Sequence, residues 1–233
     1  MILENNEHLE VFKKMYSTED CIMIPIQCSD TKHSVSDKLS LLYLQMWSGN
    51  EFILPFNHSE TLNIEIPNLE SDTKKYTYDR KKLNHLVELD NVIDVNLLHY
   101  MATNVPLSIE DIDTTAHHFF NMRYYKKENI NTIVPVMKHL EKCREIAKIL
   151  RDTIEKYAEH VKMTYNNEVL DNLSYIESNG LQTTDGVVYS EYNLYTSTGR
   201  PSNRFGGTNF AALNKTDGSR KPYVSRFKNG VLV

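Results

Sequence analysis

Three short apolar runs follow one another early in the chain, and each is bounded by polar turns. They cover residues 21–26, 39–47 and 51–56 and are rich in Ile, Leu, Tyr and Phe. This pattern predicts three β-strands, and the polar residues 48–50 predict a tight turn that joins the last two as a hairpin. Pro25 lies inside the first run. Because proline has no N–H for a strand ladder, this strand is expected to be irregular there or to lie at a sheet edge.

Helical patterns come after these strands and enclose one more short apolar run. Helices are predicted over residues 79–89, around 97–101 and from Ser108 onward, with a brief buried strand at 92–94. Because strands come first and helices then alternate with a strand, the sequence predicts the α/β fold class.

The strongest periodic signal covers residues 136–161. Its apolar positions recur in steps of three and four, at Val136, Leu140, Cys143, Ala147, Leu150, Ile154, Tyr157 and Val161. This predicts one amphipathic helix of about 25 residues, near 38 Å long at ~1.5 Å per residue. A shorter helix is predicted over 167–177, stopped by residues 179–180, and a loop is predicted over 181–190.

Charge and glycine content change sharply near Asn193. From there onward the chain carries seven Lys or Arg and one acid, a net charge of +6. The residues before it have a net charge of −11, so the whole chain has −5. Five of the eight glycines also lie in this stretch. Arginines among glycines and hydroxyl residues suit contacts with a phosphate backbone. A flexible polar tail that is merely basic is the alternative, and composition does not choose between them.

Other properties of the chain exclude several classes. No apolar run approaches the roughly 18 residues of a membrane span. The three cysteines show no C-x-x-C spacing, and the nine histidines show no ligand spacing, so neither a disulfide framework nor a metal site is predicted. The polar N-terminus has no signal-peptide core. These features predict a cytoplasmic protein.

Two segments resemble the family A (DNA polymerase I-like) DNA polymerases. Residues 75–83 read Lys-Tyr-Thr-Tyr-Asp-Arg-Lys-Lys-Leu, and residues 92–100 read Val-Ile-Asp-Val-Asn-Leu-Leu-His-Tyr. They are similar to the family's 3′–5′ exonuclease pattern, a K-Y-D-R-x-x-L helix start before a strand that ends in Asp. Thr-Gly-Arg-Pro-Ser at 198–202 and Asp-Gly-Ser-Arg at 217–220 resemble the T-G-R-x-S and G-R-x-x-R-x-x-F motifs at the start of the palm.

The resemblance extends from about residue 20 to the end and implies three parts. An RNase H-like (3′–5′ exonuclease-like) α/β domain is expected over residues 1–130. A helical thumb-like region is expected over 131–190, containing the long periodic helix. The basic, Gly-rich start of the polymerase palm is expected over 191–233.

The exonuclease segment departs from the family's metal-binding pattern. The family holds two metal ions with four carboxylates, two of them as D-x-E on the first strand, and such a pair of metals needs a dense anionic cage. Here residues 24–29 read Ile-Pro-Ile-Gln-Cys-Ser, and residues 131–139 lack the later acid. Asp79 is the one matched carboxylate, and Asp at this position is also a good helix N-cap. The domain is therefore expected to be an inactive scaffold that binds no metal.

The palm-like segment supplies the DNA-binding candidates. The resemblance implies contacts with primer–template DNA for Thr198, Arg200, Arg204, Asn209, Arg220 and Lys221. Arg200 is expected near the growing primer end, with Asn209 near it in the minor groove. Arg204, Arg220 and Lys221 are the expected phosphate contacts. Ala211 or Ala212 stands where the family has Gln, so that contact is not implied here.

The resemblance also implies components that this chain needs from elsewhere. The palm Asp that binds catalytic Mg²⁺ is expected just after a strand such as 230–233, and no fingers helix comes after it. A second polypeptide that carries the remaining palm and the fingers is therefore expected, with Mg²⁺ bound only in the complete polymerase assembly.

Three functional hypotheses remain open from the sequence. The first is the DNA-binding N-terminal part, or a subunit, of a split or truncated replicative DNA polymerase. The second is a free-standing nucleic-acid-binding accessory protein on a polymerase-derived scaffold. The third is a retained exonuclease that uses Asp30, Asp79 and Asp94 as unusual ligands.

Overall fold

The computed structural model describes residues 1–27, 38–56, 69–107, 133–161, 168–204, 212–214 and 216–227. The chain divides into two compact units, Met1–Asn167 and Glu168–Val233. Asp30, the helix predicted from Ser108, Asn209 and the strand predicted at 230–233 all fall outside the described ranges. None of the described helices is both long and apolar enough to cross a membrane.

The first unit is built on a five-stranded mixed sheet. Its strands are β1 (Cys21–Gln27), β2 (Leu39–Met46), β3 (Glu51–Pro55), β4 (Lys75–Thr77) and β5 (Val92–Asp94). Their order across the sheet is β3-β2-β1-β4-β5. The pairs β1–β2 and β2–β3 are antiparallel, whereas β4 pairs parallel with both β1 and β5. The predicted α/β class is confirmed, and the mixed sheet is consistent with an RNase H-like exonuclease fold.

Local signals predicted two details of this sheet well. The turn between β2 and β3 is tight: Gly49 adopts a φ of +92°, and its N–H donates to the Met46 carbonyl at 2.9 Å. Pro25 lies beyond the two residues of β1 that pair with β4, and the β1–β2 register shifts just after it, between Ile26 and Gln27. The proline therefore stands where the sheet is irregular, because no parallel ladder there needs its N–H.

The two faces of β1 contribute to two separate apolar clusters. Since side chains alternate along a strand, even and odd positions face opposite sides. The even positions Ile22, Ile24 and Ile26 belong to the cluster that contains Ile146, Ala147 and Leu150. The odd positions Cys21 and Met23 belong to the cluster that contains Phe12, Tyr16 and Leu83. The first set of partners lies on helix α4 (Ile133–Lys156), and the second on α1 (Asn6–Tyr16) and α2 (Arg80–Leu86).

Helix α4 covers most of the segment for which a long amphipathic helix was predicted, and it packs on the sheet. It ends at Lys156, and a short helix α5 (Ala158–Val161) comes after Tyr157. Arg144 binds Glu51 of β3 with an Nη2–Oε2 distance of 2.6 Å. Arg151 donates to the carbonyls of Met46 and Trp47, both at 2.9 Å, and its guanidinium lies 4.5 Å from the Trp47 ring centroid.

These contacts lie within the first unit, which extends to Asn167. The helix packs there because its apolar stripe is buried against an apolar face of the sheet. The thumb-like region expected over 131–190 stays a prediction.

The second unit begins with helix α6 (Glu168–Asn179), close to the predicted helix over 167–177. Gly180 ends it with a φ of +59°, and a Cβ at this position would lie 2.7 Å from both Val187 Cγ1 and the Val188 carbonyl oxygen. Glycine is therefore required here both for its left-handed backbone and for the close approach of the next hairpin.

The loop predicted over 181–190 was wrong, because a β-hairpin occupies most of it. Strands β6 (Leu181–Thr183) and β7 (Gly186–Val188) pair antiparallel around residues 184–185. The Asp185-Gly186 dipeptide lies at the turn of this hairpin, where such a pair is favoured. A second hairpin comes next, formed by β8 (Glu191–Asn193) and β9 (Ser202–Arg204).

Candidate nucleic-acid interface

The hairpin β8–β9 carries the Thr-Gly-Arg segment on its connecting loop. Tyr192 pairs with Asn203 across the hairpin, and residues 194–201 form the connection. The loop is held by its own hydrogen bonds: Thr196 Oγ1 donates to the Arg200 carbonyl at 2.8 Å, and the Gly199 N–H donates to the Thr196 carbonyl at 2.9 Å. A φ of +67° at Gly199 makes this closure possible, since other residues rarely adopt it.

This closed loop presents two of the predicted DNA-binding side chains to solvent. Thr198 and Arg200 are both exposed and stand two residues apart at the tip. Within the described part of the chain, the Arg200 guanidinium makes no hydrogen bond or ion pair. The loop thus exposes a hydroxyl and a guanidinium whose five N–H donors are not used by any described residue, and phosphate oxygens accept hydrogen bonds from both kinds of group.

A second loop carries Arg220 and Lys221. The Thr184 N–H donates to the Pro222 carbonyl at 2.9 Å, which fastens this loop beside β6. Arg220 is exposed but turns back on its own loop, because Nε and Nη2 donate to the Leu213 carbonyl at 3.2 and 2.9 Å. Lys221 is exposed, and its N–H closes a turn onto the Gly218 carbonyl. Arg220 therefore has only part of its donor set left for a phosphate.

Thr198 and Arg200 thus lie on one loop, and Arg220 and Lys221 on another; in each pair the two residues are close because they are close in sequence. Arg204 is the last residue of β9, with its side chain outside the described set, and Asn209 lies outside it altogether.

Arg226, one of the basic residues counted in this stretch, stabilises a helix end. Its Nη2 donates to the carbonyls of Asn179 and Gly180, the latter at 3.1 Å. A cation at a helix C-terminus offsets the partial negative charge of the free carbonyls. Arg226 also borders an open groove of about 620 Å³ that is lined by Ser178, Asn179, Gln182, Val187, Tyr189 and Ser225. At least one positive charge in this unit, that of Arg226, therefore has a structural role.

Asp79, the one matched exonuclease carboxylate, is the N-cap of α2 as predicted. Its Oδ1 accepts the Lys82 N–H at 2.9 Å. Asp94, which ends β5, is completely buried and bonds the first turns of two helices, α2 and α3 (Val95–Thr103). Burial first, and then the Asp79 charge, raise the pKa of Asp94 to about 7 against the lowering effect of its backbone hydrogen bonds. Both carboxylates are therefore engaged by backbone N–H groups at helix starts.

In the family that the sequence resembles, the first strand carries two metal-binding carboxylates. In this chain, the face of β1 that holds Ile24 and Ile26 is apolar. Ile24 and Ile26 are 1% and 3% exposed and lie in one cluster with Ile146 and Leu150 of α4. Among the residues whose positions are described, no group of three or more His, Cys, Asp or Glu is arranged to hold a metal ion.

The sequence matches no family model and no curated protein. Solved structures to which the chain is similar include the EXO domain of Nibbler from Aedes aegypti, at 13% identity and a TM-score of 0.42, over 73% of this chain and 93% of that one. They also include the POL domain of Pol1 from M. smegmatis, in complex with DNA primer-template and dNTP, at 12% identity and a TM-score of 0.47. That match covers 78% of this chain and 33% of the polymerase chain, so this chain spans a third of its length.

One functional candidate was missed by sequence reasoning. Glu177 lies in α6 and is only 2% exposed, on the same helix face as the buried residues Leu170, Leu173 and Ser174. Its spacing of three and four from Ser174 and Leu173 was a usable signal, since an acid on an apolar helix face needs a hydrogen-bonding partner.

Proposed function

We propose that this chain is the DNA-binding N-terminal part, or a subunit, of a family A DNA polymerase that acts in replication. In this proposal the hairpin β8–β9 contacts primer–template DNA. A second polypeptide supplies the palm carboxylates and the fingers, and Mg²⁺ binds only in that complete assembly. The observation that carries the proposal is the hydrogen-bonded loop on which Thr198 and Arg200 are both exposed to solvent.

The geometry of this loop favours binding for two reasons. Its backbone is closed by hydrogen bonds before any ligand arrives, so little loop entropy is lost on binding. Arg200 is solvated and without a protein partner among the described residues, so no ion pair must be broken before it meets a phosphate or a base edge in a groove.

In the same proposal the first unit is a scaffold rather than a nuclease. A carboxylate at Ile24 or Ile26 would be buried among apolar side chains, which is costly without a partner. Asp79 and Asp94 are already used at helix starts. The retained exonuclease and the free-standing accessory protein remain alternatives.

Fluorescence anisotropy with a labelled primer–template, at several salt concentrations, tests the proposal. We expect Arg200→Ala to weaken binding about tenfold, equivalent to about 1.4 kcal/mol. The slope of log affinity against log salt should also fall by about 1, if Arg200 neutralises one phosphate.

The matched control is Lys148→Ala, which removes one exposed positive charge from α4 in the first unit. It should leave both affinity and salt slope close to those of the wild type. Equal losses in the two variants would indicate a general charge effect and contradict a site on the hairpin.

The catalytic half of the proposal needs a second experiment. Primer extension should occur only when a chain that carries palm carboxylates and fingers is added together with Mg²⁺. DNA binding that depends on Arg200, without extension by any such chain, would favour the accessory protein instead.

A further inference from the structure

Glu177 links helix α6 to the hairpin that carries Arg200. Its Oε1 accepts the backbone N–H of Tyr192 in β8 at 2.6 Å. Residue 192 pairs with Asn203 across the hairpin, but its N–H points toward the helix instead of into the ladder. In an antiparallel pair every second residue has its N–H outside the ladder, and such a group needs another acceptor. Glu177 supplies that acceptor.

Burying a glutamate at this position costs desolvation free energy, so its hydrogen bond to Tyr192 must offset that cost. The side chain is 2% exposed, and a buried carboxylate is unfavourable unless hydrogen bonds compensate. A charged acceptor makes a shorter and stronger bond with N–H than a neutral one does. Burial, and after it the nearby Glu177 charge, raise the pKa of the Tyr192 hydroxyl, so the carboxylate also acts on this residue's side chain.

Local hydrogen bonds hold the chain between this contact and the loop tip. The Tyr195 N–H donates to Asn193 Oδ1 at 3.1 Å, and the Thr196 N–H donates to the Leu194 carbonyl at 2.9 Å. Thr196 Oγ1 then holds the Arg200 carbonyl at 2.8 Å. At the base of the hairpin, Ser190 Oγ bonds Asn203 Oδ1 at 2.9 Å. The residues between Tyr192 and Arg200 are therefore held by bonds within the hairpin and its loop.

We infer that Glu177 is a positioning residue, which fixes the β8–β9 hairpin to α6 through the Tyr192 N–H and so holds Arg200 in place for DNA. The inference rests on the proposed DNA-binding function of the hairpin. Glu177 itself is buried and does not touch the ligand.

The first test measures primer–template affinity of the full-length protein for Glu177→Ala, Glu177→Gln, Arg200→Ala and the double variant. Glu177→Ala should weaken binding about fivefold to tenfold, corresponding to about one lost hydrogen bond. Glu177→Gln keeps an Oε1 acceptor for the same N–H and should stay within about twofold of the wild type. In the Arg200→Ala background, Glu177→Ala should add little, because the two residues act through one contact.

The second test is independent of DNA. Amide hydrogen exchange should show the Tyr192 N–H protected in the wild type, exposed in Glu177→Ala and protected again in Glu177→Gln. Leu173→Ala is the control for general destabilisation, since it removes a buried side chain from the same helix face. At comparable loss of stability it should leave DNA affinity above that of Glu177→Ala.

The outcomes separate the inference from the proposed function. A wild-type protein that binds no primer–template overturns the proposed function. The exchange data would still show whether Glu177 fixes the Tyr192 N–H. Normal binding that is unaffected by Glu177→Ala overturns the inference alone. Additive losses in the double variant, or equal losses in Leu173→Ala, also overturn it, because Glu177 would then act only through overall stability.

Discussion

Asp94 accepts the backbone N–H of Arg80 at 2.7 Å, and this bond joins the end of β5 to the start of α2. The other carboxylate oxygen accepts the Leu97 N–H, also at 2.7 Å, at the start of α3. One buried carboxylate therefore satisfies free N–H groups of two helices. The sign of its pKa shift gives the first prediction.

The Asp94 carboxyl makes stability fall as pH rises. Its folded pKa of about 7 lies above the ordinary value of 3.8, so between these values the folded protein holds a proton that the unfolded chain has released. The contribution to the free energy of unfolding is largest near pH 4 and below, and it declines toward pH 7 by about 1.4 kcal/mol per pH unit. Asp94→Asn should remove this contribution to the pH dependence. Urea unfolding at a series of pH values, followed by the fluorescence of Trp47, the only tryptophan, measures it.

His85 has the opposite effect in an overlapping pH range. Burial lowers its pKa from 6.5 to about 4, with Lys81 and Lys82 acting in the same direction and Asp79 against it. The unfolded chain then binds more protons between these values, so this contribution grows as pH rises and is lost on acidification. Because the two effects oppose each other, the wild-type profile should be comparatively flat.

His85→Gln should uncover the decline due to Asp94, and Asp94→Asn should uncover the rise due to His85. The same urea series gives both slopes. Parallel profiles for the two variants and the wild type would mean that neither group titrates in this range.

Carboxylates introduced on β1 should destabilise the first unit rather than create a nuclease. Ile26→Glu places an acid in the apolar cluster of β1 and α4, and we expect a loss of about 3 kcal/mol or more. Val11→Glu, on the exposed side of α1, is the control and should change stability by about 0.5 kcal/mol or less. Unfolding followed by Trp47 fluorescence measures both. An unchanged Ile26→Glu protein that degrades single strands with Mg²⁺ would contradict the scaffold.

Substitutions at Gly180 and Gly199 distinguish the cost of steric crowding from the cost of a left-handed backbone. Their φ values are +59° and +67°, but a Cβ would meet Val187 and Val188 at 2.7 Å in the first case and open space in the second. Gly199→Ala should cost about 1 kcal/mol from its left-handed backbone, and Gly180→Ala clearly more.

Amide hydrogen exchange in α6 and the hairpins, measured at a series of temperatures, gives the loss of stability in each variant, because these elements lie in the second unit. Equal effects would show that the hairpin moves away from Gly180 without loss.

Local sequence patterns were sufficient for much of the fold. The alternation of apolar runs predicted β1, β2 and β3, and residues 48–50 predicted the turn between two of them. The three- and four-residue spacing predicted α4, and Gly180 predicted the end of α6. In each case the signal and the structure lie within a few residues, so propensity and periodicity are enough.

Tertiary structure decided what these elements do. Whether α4 stands apart or covers the sheet depends on contacts such as Arg144 with Glu51, which are 93 residues apart. Composition marked the basic stretch as a candidate for phosphate contacts, yet Arg226 caps a helix, Arg220 bonds its own loop and Arg200 faces solvent. Charge and glycine content reveal which chemistry is present. Only the packing of distant segments determines which side chains are already engaged and which remain available to a ligand.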